Sequence, residues 1–365
     1  MDLWKKIARV TLVAGAALWM YKDASTLPAF SVQTSAGVTA LSETEQITEP
    51  ESESESETAT ESESESESQS ETASESESEP ESQSESASES ESEPESQSET
   101  TSESASESES ELASASESWV NLCKELNSSI SEYEGTWSVY VKDLEDGGSL
   151  TINEQAQSSA SLIKLYIAGA VLNEIQAQNL ERTDTIDQLL TEMITVSDNE
   201  AANELVRYLS DTHDHQDGLQ KVNEFIDSYG FTDTHQYNGL DDSSLWYYPD
   251  HINVTSVTDC GRLLEEIYEG DFISHLISRE LEGYLLNQEV TWKIPAGIPS
   301  EIKTANKTGE TDNTQNDVSM VFTPYGDYII CIMATDLTDE DTAIEHIRTL
   351  SGTVYDYFTE MEAAE

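Results

Sequence analysis

The chain has 365 residues and carries 75 acidic against 16 basic side chains, a formal net charge of -59. With no basic stripe to offset that charge, nucleic acid is excluded as an expected partner. Three cysteines, Cys123, Cys260 and Cys331, are odd in number and widely separated, which excludes a disulfide framework or cysteine metal spacing as readings.

At the start, Lys5, Lys6 and Arg9 precede an apolar run over 10–20, the charge-then-hydrophobic order of an export signal. The run is shorter than the ~20 residues of a comfortable membrane span, which favours cleavage. No small-x-small cleavage site follows closely, and a long spacer behind the run favours retention. Residues 1–25 are therefore expected to be a signal peptide or an N-terminal membrane anchor, with the protein extracytoplasmic. Over 42–118 Ser and Glu alternate with no Lys or Arg and almost nothing able to build a core. The segment 26–118 is expected to be a disordered spacer, which could reach at most ~250 Å at about 3.3 Å per residue. Phosphorylated, the tract would bind calcium; a solvated spacer is the simpler reading.

Residues 119–365 leave room for one domain of roughly 250 residues with a proper core. Val120, Leu122, Cys123, Leu126 and Ile130 have helical spacing over 119–132. The stretch 136–141 alternates as a strand, 145–148 makes a turn, and 149–152 begins the returning strand. From Ser161 to Gln176 the pattern is helical and apolar nearly all round, which predicts a buried helix. Further helices are expected over 184–194, 199–209, 218–229 and 256–268, with a long surface loop over 230–252. Strands follow at 317–322 and 328–335, and a last helix at 341–358. Cys331, inside the apolar strand, is read as a small buried hydrophobe. The fold class expected is α/β (α+β): an antiparallel five-stranded sheet flanked by N- and C-terminal helices, plus an all-helical lobe.

Three short strings carry the chemistry. Ser161-Leu162-Ile163-Lys164 puts an amine one turn from a hydroxyl at a helix start, where partial positive charge favours an anion. Burial and a second lysine nearby push an amine toward the neutral form that takes a proton from serine. Ser197-Asp198-Asn199 is by itself a helix cap, and Lys307-Thr308-Gly309 by itself a solvent-facing strand end with a turn glycine. Together the three supply a nucleophile, a base, a proton shuttle and a cation for a substrate carboxylate.

In that combination the chain resembles the class A β-lactamases and penicillin-binding serine hydrolases, whose signature these three motifs form. The likeness runs over nearly all of 119–365. It includes Ala160 to Leu165, Ser197 to Asn203, Asn253-Val254-Thr255-Ser256, and Ile294-Pro295-Ala296-Gly297-Ile298-Pro299 ahead of Lys307-Thr308-Gly309-Glu310. The resemblance implies the β-lactamase/transpeptidase-like fold and a Ser161 acyl-enzyme that opens the amide of a β-lactam. It makes Lys164 the general base, Ser197 the shuttle, Asn199 a ligand of substrate and Lys164, and Asp198 structural. Lys307, Thr308 and Gly309 would hold the substrate, and the backbone N–H groups of Ser161 and Glu310 would form the oxyanion hole. The expected partner is a small-molecule β-lactam or a peptidoglycan peptide, the catalytic domain monomeric, with no cofactor and no metal.

Two departures from the family pattern stand out. The interval from Ser161 to Ser197 is short, so the helical lobe should be trimmed. Family β-lactamases carry an omega-loop Glu that activates the deacylating water, and no Glu occurs between Gly230 and Ile252. Asp241 or Asp242 is the nearest substitute, and Asp241 is the one assigned to catalysis. Without such a base acylation proceeds and release stalls, which leaves a cell-wall peptidase or slow penicillin binder as the alternative, and a non-catalytic surface protein as a third. The loop from Asp211 to Asp217 has two His and three carboxylates, and reads better as a solvated connection than as a metal site.

Overall fold

The computed structural model describes residues 30–33 and 103–362, with side chains from 117 to 360. The export-like segment 1–21 and most of the Ser/Glu tract lie outside the described residues. Contacts divide the chain into two units, Met1–Ser42 with Glu109–Glu365 and Glu43–Ser108; the architecture that follows is that of the first.

Strand β1 (Phe30–Gln33) and helix α1 (Glu103–Ile130) precede the hairpin β2 (Thr136–Asp143) and β3 (Ser149–Ile152). The short strand β4 (Gln157–Ser158) leads through a 3-10 turn, Ala160–Leu162, into α2 (Ile163–Gln176). The lobe continues with α3 (Asp184–Thr195), α4 (Asn199–Tyr208) and α5 (His215–Ser228). After the long loop come β5 (Val254–Thr255), α6 (Val257–Glu269) and α7 (His275–Leu286). The chain closes with β6 (Lys303–Thr311), β7 (Thr314–Phe322), β8 (Tyr328–Thr335) and α8 (Glu340–Glu362). The main sheet has the order β1-β3-β2-β8-β7-β6, every neighbouring pair antiparallel. Five of its strands are the expected sheet; β1 adds a sixth along β3, pairing Phe30 with Ile152 and Gln33 with Ser149.

The sheet is buried on both faces, which is why β8 reads as an unbroken apolar run rather than an alternating one. Ile330, Ile332 and Ala334 face α1 and α8, where Trp119, Leu126, Ile347 and Val354 complete one core. Ile329, Cys331 and Met333 face the other way, into the core that holds α2 and α6. Each Leu or Ile buried in this way contributes about 1.5–3 kcal/mol. Helix α2 is enclosed on every side, with each residue from Ile163 to Leu172 buried.

Besides β1, which lies within the 26–118 stretch expected to be a disordered spacer, three elements differ from expectation. Helix α1 begins at Glu103, within the stretch assigned to the spacer, because no Gly or Pro interrupts Ser, Glu and Ala from there to the anchored turns at Trp119 and Leu122. Helix α7 is an addition to the expected elements; its buried stripe of Ile277, Leu281 and Leu285 is short and set among charges. The Lys307-Thr308-Gly309 string lies in the body of β6 and is buried, not at a solvent-facing end.

Candidate active site

Ser161 stands in the 3-10 turn at the head of α2, and Lys164 follows one turn on. Lys164 Nζ lies within hydrogen-bond distance of four oxygens, Ser161 Oγ at 3.0 Å, the Ser197 carbonyl at 2.6 Å, Ser197 Oγ at 3.2 Å and Asn199 Oδ1 at 2.6 Å. Lys307 Nζ reaches the same Ser197 Oγ at 2.8 Å and also bonds the Thr308 carbonyl at 2.8 Å. Positions 161, 164, 197, 199 and 307 therefore converge on one cluster, as the three motifs required.

Local backbone strain sits on both sides of it. Ala160 and Ser197 hold φ values of 43° and 60°, a left-handed region that costs a non-glycine residue about 1–3 kcal/mol. Ser197 is fixed there by its own carbonyl bond to Lys164 and by the capping of α4, where Asp198 accepts from Ala201 N–H at 2.7 Å. Asp198 is thus structural.

Both amines are fully buried, and the consequences are electrostatic. Burial lowers the Lys164 pKa to about 7, against the opposing charges of Asp198 and Asp241. Burial likewise pushes Lys307 well below the usual lysine range, helped by Lys164 and opposed by Asp317. A neutral Lys164 beside the Ser161 hydroxyl is competent to accept its proton near neutral pH.

Strand β6 supplies the other wall. A Cβ placed on Gly309 would lie 2.7 Å from the Ser159 carbonyl and 3.2 Å from Ser161 N, so only glycine lets the strand approach the serine this closely. The β6–β7 hairpin closes at Thr311 and Thr314 around two residues, which makes Gly309 and Asn316 a hydrogen-bonded pair. Glu310 falls between, and β6 is the sheet edge, so its N–H points away from β7 beside Ser161. Ser161 N lies 3.2 Å from where a Gly309 Cβ would sit, which brings the strand that carries the Glu310 N–H alongside the serine.

The long loop is tied over this cluster from α4. Asn203, one helical turn beyond Asn199 and on the same face, donates to the Leu240 carbonyl at 2.8 Å and accepts from the Leu240 N–H at 2.8 Å. The residue held there is apolar and packs against the core. Asp241 follows, exposed, with φ of 53°; Asp242 is committed to the 3-10 turn Ser243–Leu245, accepting from Ser244 N–H at 2.9 Å and its hydroxyl at 2.7 Å.

A family model described as the Beta-lactamase enzyme family matches residues 121–358. The chain belongs to the β-lactamase enzyme family. Among solved structures, PBP-A is 24% identical, with 66% of this chain and 96% of that one covered at a TM-score of 0.58. A leucine-to-glutamate mutant of PBP-A, an acyl-enzyme complex with penicillin G, is 23% identical over 66% and 97% at 0.57. A variant of the last common ancestor of Gram-negative class A β-lactamases, bound to a transition-state analogue, is 21% identical over 66% and 99% at 0.57. These likenesses show the fold; no curated protein matches.

In this β-lactamase-family serine hydrolase the 211–217 loop engages its polar groups locally. In the 211–217 loop Asp214 caps α5, His213 Nε2 meets Glu204 at 3.0 Å, and His215 is buried against Tyr247 OH at 3.2 Å. Burial lowers the His215 pKa to about 4. Sequence reasoning missed Asn203 as the loop tether and Lys293, which lies fully buried behind β6.

Proposed function

We propose that this family member is an extracytoplasmic serine acyl hydrolase of cell-wall peptide, which β-lactams acylate at Ser161 and leave slowly. Neutral Lys164 takes the Ser161 hydroxyl proton as Oγ attacks the amide carbonyl, and the oxyanion forms between the Ser161 and Glu310 N–H groups. Ser197 passes its proton to the leaving nitrogen and is reprotonated by Lys164, which returns to the neutral state. Lys307 holds the substrate carboxylate, and Asn199 and the Gly309 strand position the acyl side; the Thr308 side chain, expected to share in that contact, alternates to the rear face of β6 with its cross-strand partner Asp317. Residues 1–25 deliver or tether the domain, with 26–118 as its spacer; the order of charge and apolar residues at the start supports that reading.

The observation that carries slow release is the Asn203 tether, which fixes Leu240 rather than a carboxylate one helical turn from the Lys164–Asn199 contact. A deacylating water needs a base within hydrogen-bond distance. A fluorescent penicillin followed on denaturing gels tests the proposal: label that persists for many minutes supports it, and label lost within seconds while penicillin is consumed overturns it. That second outcome favours efficient β-lactam hydrolysis with Asp241 as base, a reading supported by the reach of the Asp241 charge to Lys164. Under it, Asp241→Asn prolongs the label.

A further inference from the structure

Lys293 takes no part in the steps above, yet its ammonium is placed with care. It precedes the 3-10 turn Ile294–Gly297 and lies 3.1 Å from the Asn316 carbonyl, 3.4 Å from the Gly309 carbonyl and 3.0 Å from Glu310 Oε1. The two carbonyls belong to the cross-strand pair Gly309 and Asn316, so the cation sits over one hydrogen-bonded ring of the hairpin.

Its direction of approach follows from strand alternation. The side of Gly309 that a Cβ would occupy faces Ser161, and the next side chain, Glu310, points to the opposite face. Lys293 is paired with Glu310 and therefore grips β6 from behind, away from the serine. Asp317, cross-strand partner of Thr308, lies on that rear face too and accepts from Asn306 Nδ2 at 3.0 Å and from the Ile294 N–H at 2.9 Å. The segment carrying Lys293 is thus pinned to the strand at a second point.

The Gly309 carbonyl and the Glu310 N–H are two ends of one planar peptide unit. A cation at the oxygen withdraws electron density and leaves the N–H a stronger donor, while three partners fix the plane. We propose that Lys293 is a positioning residue for acylation, which orients and polarises from behind the peptide whose N–H receives the oxyanion. Being sealed behind the strand, it acts through Gly309 and Glu310 and touches no substrate. The inference rests on the reading of Ser161 as the acylated group.

The test uses the full chain and benzylpenicillin, with rapid-mixing acylation kinetics and the infrared carbonyl stretch of the resulting ester, which reports hydrogen bonding in the oxyanion hole. In Lys293→Met the acylation rate at saturating penicillin should fall about tenfold, a fraction of what loss of a whole oxyanion donor costs. Half-saturation should stay unchanged, the ester stretch should move to higher wavenumber, and Lys293→Arg should restore most of both. A folded Lys293→Met protein with an unmoved ester stretch, whatever its rate, would overturn the inference. If that variant does not fold, Lys293→Gln, which keeps a donor without the charge, takes its place: a raised ester stretch supports the inference and an unmoved one overturns it. A wild-type protein that forms no ester would overturn the Ser161 reading and this inference together, whereas a change missing only in the variants overturns this inference alone.

Discussion

The side-chain amide of Asn203 holds the backbone of Leu240 at both ends, N–H and C=O, each at 2.8 Å. This doubly bonded tether makes position 240 a fixed point above the Lys164–Asn199 contact. A carboxylate introduced there is expected to come within reach of the cluster, since the backbone at 240 is held one helical turn from Asn199. Leu240→Glu should therefore speed release of a bound penicillin by about 10²-fold or more, read as a shorter acyl-enzyme lifetime, with acylation little changed. An unaltered lifetime would show that the tether does not aim position 240 at the ester.

Removal of the tether itself should be felt in stability. Asn203→Ala deletes both bonds and leaves the Leu240 groups unpaired, at a cost of about 1–3 kcal/mol, measured by urea unfolding. An equal midpoint in the two proteins would show that the loop is held by its other contacts.

The pH dependence of acylation follows from Lys164. Its pKa in the fold is lowered to about 7 by burial, and the neutral amine is the active form. The acylation rate should therefore fall about tenfold per pH unit below 7 and level off above it. Asp241→Asn removes a negative charge that opposes the lowering, so the limb should move to lower pH. Rapid-mixing kinetics across pH 5–9 check both, and a limb that moves upward would contradict the assignment of charges.

Gly309 tests the close approach of strand and serine. With 2.7 Å to the Ser159 carbonyl and 3.2 Å to Ser161 N, an added methyl meets backbone on one side and cannot be absorbed by a side-chain shift. Gly309→Ala should lower Tm and cut acylation by about 10²-fold, since the displaced strand carries the Glu310 N–H. Wild-type acylation in this variant would remove the strand from the oxyanion site.

The site was legible where chemistry needs local spacing, and obscure where it depends on contacts across the fold. Ser161 and Lys164 lie one turn apart, and their i,i+3 relation is visible in the letters. Ser197 and Lys307, by contrast, meet only because α4 and β6 face the head of α2. The motif conjunction anticipated that meeting; periodicity alone did not. Strand β8 and helix α2 were readable because full burial leaves an unbroken apolar run. Helix α7 was not, although Ser274 with Ile277, Leu281 and Leu285 offers a cap position and a stripe at 3–4 residue spacing. Lys293 left a weaker trace, a lone cation between Trp292 and Ile294, and its partners on β6 and β7 follow only from the register. The Asn203–Leu240 tether spans 37 residues, and neither residue type marks it in advance.

Intact mass spectrometry after brief exposure to benzylpenicillin addresses the central claim most directly. The wild-type chain should gain the mass of one penicillin and keep it for many minutes, and Ser161→Ala should gain nothing. An adduct of equal yield on Ser161→Ala, or a wild-type chain that stays at its own mass, would contradict the account.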